Sequence, residues 1–356
     1  MLPYWLLFAF PALMAITSSW QEPSESPRWP QNWKFMFLIL VLMVGLRHEV
    51  GGDWANYVGA LADAKYFSLN EVLNKIEPGY NLLNWITAQS GLNIYFVDLV
   101  CGIIFAWGTV EFCLAQPRPW LAMVVAIPYL VIVVAMGYSR QGVAIGFVML
   151  AFVALGNLRY FRFAVYILLA VSFHQSAIIL IPLAALTSPK NRLWNVTWVA
   201  VFTLVLFSEF LGSTAATYQF GYIDQAYQSE GATIRVVMNV VPAALFLFFR
   251  SRFALSKVDI IFWTWQSLIA IGLLGILLVS PSSTAVDRIA LYMIPLQLFV
   301  YARLPEALGV PEKSHTGLVY TLVGFSAMVQ FTWLVFGVHS RYWLPYKFAP
   351  LLWLIQ

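Results

Sequence analysis

Three apolar runs, residues 94–115, 121–137 and 143–156, follow one another with only short loops between them. Inside hydrocarbon a backbone has no water to bond, so its N–H and C=O groups must find partners within the structure. Only helices or a closed barrel meet that demand. A barrel strand alternates apolar and polar residues with a period of two, and these runs do not alternate. They predict membrane-spanning helices. Composition agrees: 61% of residues are hydrophobic, 17% aromatic and 10% charged, whereas soluble domains carry about 25% charged residues.

A span needs about 20 mostly apolar residues. By that measure the candidates are 2–20, 35–46, 94–115, 121–137, 143–156, 163–186, 196–212, 236–249, 260–280, 289–302 and 317–338. The chain reads as an all-α polytopic membrane protein with about 10–12 transmembrane helices. It forms one integral membrane domain over residues 1–356, with an external loop region around 47–93. The opening stretch has no Lys or Arg before its apolar run and no small-residue cleavage site after it, so it is expected to remain as a helix. Cys101 and Cys113 lie about 18 Å apart along one predicted helix and cannot pair within it.

Lys and Arg in short loops set orientation. The richest loop, "RSRFALSK", is expected in the cytoplasm, as is "SPKNR" with Lys190 and Arg192. Counting from both directions makes both ends of 163–186 cytoplasmic, although the run is long enough for one crossing. Either the segment is a broken hairpin turning at "FHQS", Phe173 to Ser176, or one basic loop disobeys the rule.

Arg47, Arg140, Arg235, Arg288 and Arg341 then fall one per external segment, each beside a helix end. An arginine at a helix end commonly snorkels to headgroups. Five on the disfavoured side suggest instead a site for a polyanion, because guanidinium binds phosphate through paired, charge-assisted hydrogen bonds. A lipid pyrophosphate suits a site at a membrane surface. In "GLRHEVGGDWANY", Asp53 follows the Gly51–Gly52 pair and precedes Tyr57 by one helical turn, so the two share a face. Asp53 is equally a good helix N-cap. "EPGY", with Glu77, reads as a turn into an amphipathic helix on the membrane surface. His174, flanked by apolar sequence, is either a packing residue or a general base. Asp98 and Glu209 are further intramembrane carboxylates. No GxSxG, HExxH, Walker or paired CxxC motif is present, and no dense metal-ligand cluster is visible. Serine hydrolysis, that type of zinc proteolysis and ATP-driven pumping have no support.

"GLRHEVGGDWANY", "EPGYNLLNWI", "YSRQGVAIG", "FHQSAIILIP", "DRIALY" and "WLPYKF" follow in that order along nearly the whole chain. Together they resemble the EpsG/Wzy family of membrane polysaccharide polymerases. The resemblance implies a GT-C-like glycosyltransferase of the bacterial cytoplasmic membrane, working at its outer face. It would join repeat units carried on undecaprenyl pyrophosphate, moving the growing chain to an acceptor sugar hydroxyl with inversion. No metal, cofactor or nucleic acid is implied; a chain-length regulator and a flippase are the implied protein partners. Arg47, Asp53, Arg140, His174 and Arg288 carry over by motif. In the mechanism that joins both lines, His174 or Asp53 is the base. Arg47, Arg140, Arg288 and Arg341 hold pyrophosphate, with Glu77 and Tyr57 beside the substrate. An oligosaccharide ligase, a polyprenyl-phosphate glycosyltransferase and a lipid-linked sugar transporter or flippase are the rival readings.

Overall fold

The computed structural model describes residues 1–21, 29–182, 231–280, 283–309 and 312–354. Among the described residues the secondary structure is helical, apart from one isolated bridge. The helices are α1 (Leu2–Thr17), α2 (Gln31–Gly45), α3 (Trp54–Ala64), α4 (Leu69–Leu73), α5 (Pro78–Gln89), α6 (Ile94–Leu114), α7 (Pro119–Ala126), α8 (Ser139–Gly156) and α9 (Tyr160–Phe173). After the undescribed segment come α10 (Ala232–Phe249), α11 (Lys257–Val279), α12 (Ser283–Ala290), α13 (Ile294–Tyr301), α14 (Leu304–Leu308), α15 (Glu312–Phe336) and α16 (Ala349–Trp353). Five helices among the described residues are long and apolar enough to cross a membrane, and four shorter apolar helices accompany them. The protein is an all-α polytopic membrane protein. The expected span at 196–212 and the carboxylate Glu209 lie outside the described residues.

α8 is the axis of the assembly, with almost every residue buried between α6 and α9. α2 packs on α6, and α10 packs on α11 and α13. Lipid tails are as apolar as leucine, so burial alone gives helices in a membrane little reason to associate; close packing and hydrogen bonds must hold them. Long-range polar ties are present: Trp343 donates to the Ile132 carbonyl at 2.6 Å and Tyr4 donates to the Trp343 carbonyl at 2.8 Å. Ile132 belongs to a π-helical stretch, Ile127–Ala135, that continues α7. A π turn shifts the carbonyl ladder out of α register, and here the Trp343 indole takes up one of its carbonyls.

The break at "FHQS" falls where the sequence places it. α9 stops at Phe173, His174 is extended, and a 3₁₀ turn runs from Gln175 to Leu180. α9 lies beside α8 and ends level with that helix's first turn, a geometry that both readings of the segment allow. The return beyond residue 182 is outside the described residues. Several helices begin earlier than hydropathy indicates. α8 starts at Ser139, α10 at Ala232 and α12 at Ser283, which places Arg140, Arg235 and Arg288 within helices rather than in loops.

The expected surface helix is the short amphipathic α5, but it is not laid out alone. It packs on α3, α4 and α9 and buries Tyr80, Asn84 and Thr87. Gly79 makes the contact with α9 close: a Cβ there would sit 2.5 Å from Ser172 Oγ. That approach brings Glu77, at the head of α5, to the end of α9.

Candidate active site

The opening motif folds around Arg47. Its side chain and that of Asp98 are each only 1% exposed, and Arg47 Nη2 donates to Asp98 Oδ1 at 3.0 Å. The same nitrogen donates to Ser139 Oγ at 2.7 Å, and Ser139 donates to Asp98 Oδ1 at 3.2 Å. Arg47 Nε donates to the Val50 carbonyl, and Nη1 donates to the Val44 carbonyl at the end of α2. A buried charge is tolerated when it is paired and its donors are filled, and this guanidinium meets that condition with four partners from three parts of the chain. Arg47, expected on the phosphate, is instead enclosed beneath the site, next to the residue that precedes Arg140.

The turn that follows is closed by backbone. Arg47 forms an antiparallel bridge with Phe348, and His48 N–H donates to the Lys347 carbonyl. Gly51 has φ +102, and a Cβ on it would lie 2.5 Å from the Met136 carbonyl oxygen. Both the dihedral and the contact exclude a side chain. The loop thereby rests directly on the turn that leads into Ser139 and Arg140. Asp53 occupies the N-cap position of α3, but its carboxylate makes no cap bond and, among the described residues, accepts only from Asn56 Nδ2 at 3.4 Å. Its position matches the capping reading; its side chain is left for other partners.

Above Arg47 lies a second cluster. Glu77, 8% exposed, accepts from Arg140 Nη1 on Oε2 at 2.7 Å, while its Oε1 lies 3.4 Å from His174 Nδ1. The Arg140 side chain remains 46% exposed and also faces the Tyr80 ring. His174, 16% exposed, has Ser176 Oγ at 3.1 Å from Nδ1 and the Tyr292 ring edge-on. Ser176 donates to Tyr292 Oη at 3.2 Å, so its single proton is used there. A carboxylate and a hydroxyl oxygen both facing Nδ1 favour the tautomer with the proton on that nitrogen, which leaves the lone pair on Nε2. Arg140 and Arg288 both act electrostatically on this ring.

Arg288 lies 4.5 Å from the centre of the Tyr138 ring and reaches Gln141 Oε1 at 3.4 Å. Gln141 returns a bond from Nε2 to the Arg288 carbonyl at 2.6 Å, which ties α8 to α12. Next to it Arg235 grips Asp287 with two bonds of 2.6 and 2.7 Å. Among the described residues Arg288 has no carboxylate partner. Tyr57 is buried against Tyr80, ring centres 5.9 Å apart, within the fields of Asp53, Arg140 and Arg288. Burial holds its phenol above the ordinary range, so it stays a neutral donor.

Of the residues singled out in the sequence, Arg140, Arg288, Glu77, His174, Tyr57 and Asp53 are therefore brought together. Arg341 is not: it is exposed and bonds its neighbour Tyr342 at 3.2 Å. Residues missed by sequence reasoning are Ser139, Tyr138 and Gln141, all within "YSRQ", and Ser176 and Tyr292, within or beside "FHQS" and "DRIALY". Each sat in a motif whose charged member alone drew attention. Among the described residues, no group of three His, Cys, Asp or Glu side chains is placed to hold a metal ion.

Two arginines, a shared carboxylate and a histidine thus meet at one end of the helical bundle of a polytopic membrane protein. The chain belongs to the EpsG family, whose model matches residues 33–348 and so spans every element of that site. Membership supports a polysaccharide-polymerase type of function. No curated protein and no solved structure matches the chain.

Proposed function

We propose that the protein is a glycosyltransferase that lengthens a polysaccharide by joining repeat units carried on a lipid pyrophosphate, undecaprenyl pyrophosphate in a bacterial envelope. The observation that supports this best is the meeting of Arg140 and His174 on one carboxylate, Glu77, with Arg288 acting on the same ring. Arg140 and Arg288 bind the diphosphate and stabilise the negative charge that develops as it leaves. His174 Nε2 takes the proton from the acceptor sugar hydroxyl, whose oxygen attacks the anomeric carbon from the side opposite the diphosphate and inverts it. Because diphosphate leaves readily, positioning matters more than a strong acid. Asp53 and Tyr57 hold sugar hydroxyls of the acceptor. Arg47 acts at one remove, by fixing Ser139 and hence the first turn of α8.

The site end faces outward in this reading. Exposed cations crowd the opposite end, where Arg159, Arg162, Arg250, Arg252 and Lys257 lie in short connections or in the first turn of the helix that follows. At the site end Arg47 is buried, Arg235 is paired with Asp287 and Lys347 with Glu49. Loops rich in Lys and Arg stay in the cytoplasm.

Purified protein given lipid-linked repeat units should lengthen them with no energy source. Arg140→Ala and His174→Ala, made at normal abundance, should not. Normal product ladders from both variants would discard the active-site assignment, and unchanged units with the unaltered protein would discard the polymerase.

A further inference from the structure

Glu77 is held unusually for a residue in a turn. Its backbone is left-handed, φ 61 and ψ 59, a conformation that costs a non-glycine residue on the order of 1 kcal/mol or more and persists only where its surroundings enforce it. Pro78 follows it, and Asn81 bonds the Glu77 carbonyl with both its backbone N–H and its Nδ2. The side chain that this backbone aims is divided: Oε2 belongs to Arg140, whereas Oε1 faces His174 Nδ1 and accepts the Gln175 N–H at 3.4 Å.

We propose that Glu77 is a positioning residue that couples the basicity of His174 to occupation of the arginines by diphosphate. This rests on the polymerase reading given above. In the empty site the negative charge of Glu77 is offset by Arg140, and Arg288 adds a second positive charge near the ring. The groups facing His174 are thus Glu77 from the head of α5, Arg140 from α8, Arg288 from α12, Ser176 from the 3₁₀ turn and Tyr292 from the turn after α12. A diphosphate bound by the two guanidiniums cancels their field and competes with Glu77 for Arg140 Nη1. The carboxylate then acts on the imidazole alone, through a proton already on Nδ1.

The step balances. The acceptor O–H bond breaks and its proton moves to Nε2; the freed electron pair forms the new bond to the anomeric carbon as the bond to the diphosphate oxygen breaks. The electron pair of the broken carbon–oxygen bond leaves with the lipid diphosphate. Glu77 Oε1 stabilises the imidazolium until its proton passes to water. A base that strengthens only when donor is present does not hold a proton idly in the empty site.

The test uses the full-length protein in lipid nanodiscs with nitrogen-15 in its histidines. The chain has four, and His174→Gln identifies the resonance of interest. Inorganic pyrophosphate is the probe, and its binding is measured separately by calorimetry. With unaltered protein near neutral pH, saturating pyrophosphate should raise the imidazolium fraction of His174. In Glu77→Gln pyrophosphate should still bind, while the His174 response shrinks to the part left by cancelling the two guanidinium charges. On lipid-linked units that variant should lose about tenfold or more in kcat with little change in KM, and Glu77→Asp, which folds with the charge retained, should recover part of both readouts. An imidazole that ignores bound pyrophosphate in the unaltered protein, one that responds equally in Glu77→Gln, or a failure of pyrophosphate to bind each overturns the coupling. The polymerase reading fails on different grounds, if unaltered protein leaves lipid-linked units at their starting length while the imidazole still responds.

Discussion

Arg47 and Asp98, separated by 51 positions in sequence, form an ion pair of 3.0 Å from which solvent is almost wholly excluded. The pair joins the end of α2 to α6, and Ser139 joins both to α8. Removing one member of a buried pair costs about 3–5 kcal/mol because the other is left uncompensated, whereas removing both often costs less. Asp98→Asn and Arg47→Met should each lower the unfolding temperature and the yield of folded protein. The double variant should lose less than the two single losses added together, as read from thermal unfolding in detergent.

Arg288 tests whether charge alone suffices. Lysine keeps the charge but loses the planar fork that grips phosphate and stacks on Tyr138. Arg288→Lys should fold normally and lose about tenfold or more in kcat/KM for lipid-linked units, roughly 1.4 kcal/mol of transition-state stabilisation. An unchanged kcat/KM would mean that the fork does not touch the diphosphate.

The two adjacent glycines should respond differently. At Gly51 a Cβ meets the Met136 carbonyl at 2.5 Å with φ at +102, but at Gly52 its nearest neighbour is Tyr342 at 4.0 Å. Gly51→Ala should destabilise by about 1–3 kcal/mol and reduce activity by moving the first turn of α8. Gly52→Ala should be close to neutral in both unfolding and ladder assays.

Glu49 and Lys347 give a pH signature. The hydrogen bond from Lys347, and then its charge, hold the Glu49 carboxyl below its ordinary range. A depressed carboxyl stabilises the folded form above the ordinary value, and that contribution disappears as pH falls through the folded value. Both groups are more than a third exposed, so solvent screening limits the gain to about 1 kcal/mol or less. The gap in unfolding temperature between unaltered protein and Glu49→Gln should be small at neutral pH and vanish in acid.

The helical membrane fold was legible because apolar runs are a property of each segment alone. Helix starts were less so: hydropathy falls at the first charge, so Arg140, Arg235 and Arg288 looked like loop residues although the backbone is already helical there. The break at His174 was one of two readings left open by the count of basic loops, and the end of α9 at Phe173 shows the interruption itself. The role of Arg47 could not. Whether a guanidinium meets lipid, cavity or a buried carboxylate depends on which helix lies beside it, and neither Asp98 nor Ser139 is near it in sequence. Glu77 was found by its turn motif, but its division between Arg140 and His174 depends on the packing of α5 against α9.

The bridge between Arg47 and Phe348, with Ala349 N–H bonding the Leu46 carbonyl, sets an order of events on the ribosome. Asp98 leaves the tunnel soon after Arg47, so the buried charge can be settled while most of the bundle is still unmade. The segment that closes over the same loop comes about 300 residues later, a delay of roughly 15–60 s at about 5–20 residues per second. The loop around Arg47 thus settles its buried charge early in synthesis and gains its backbone clasp almost last.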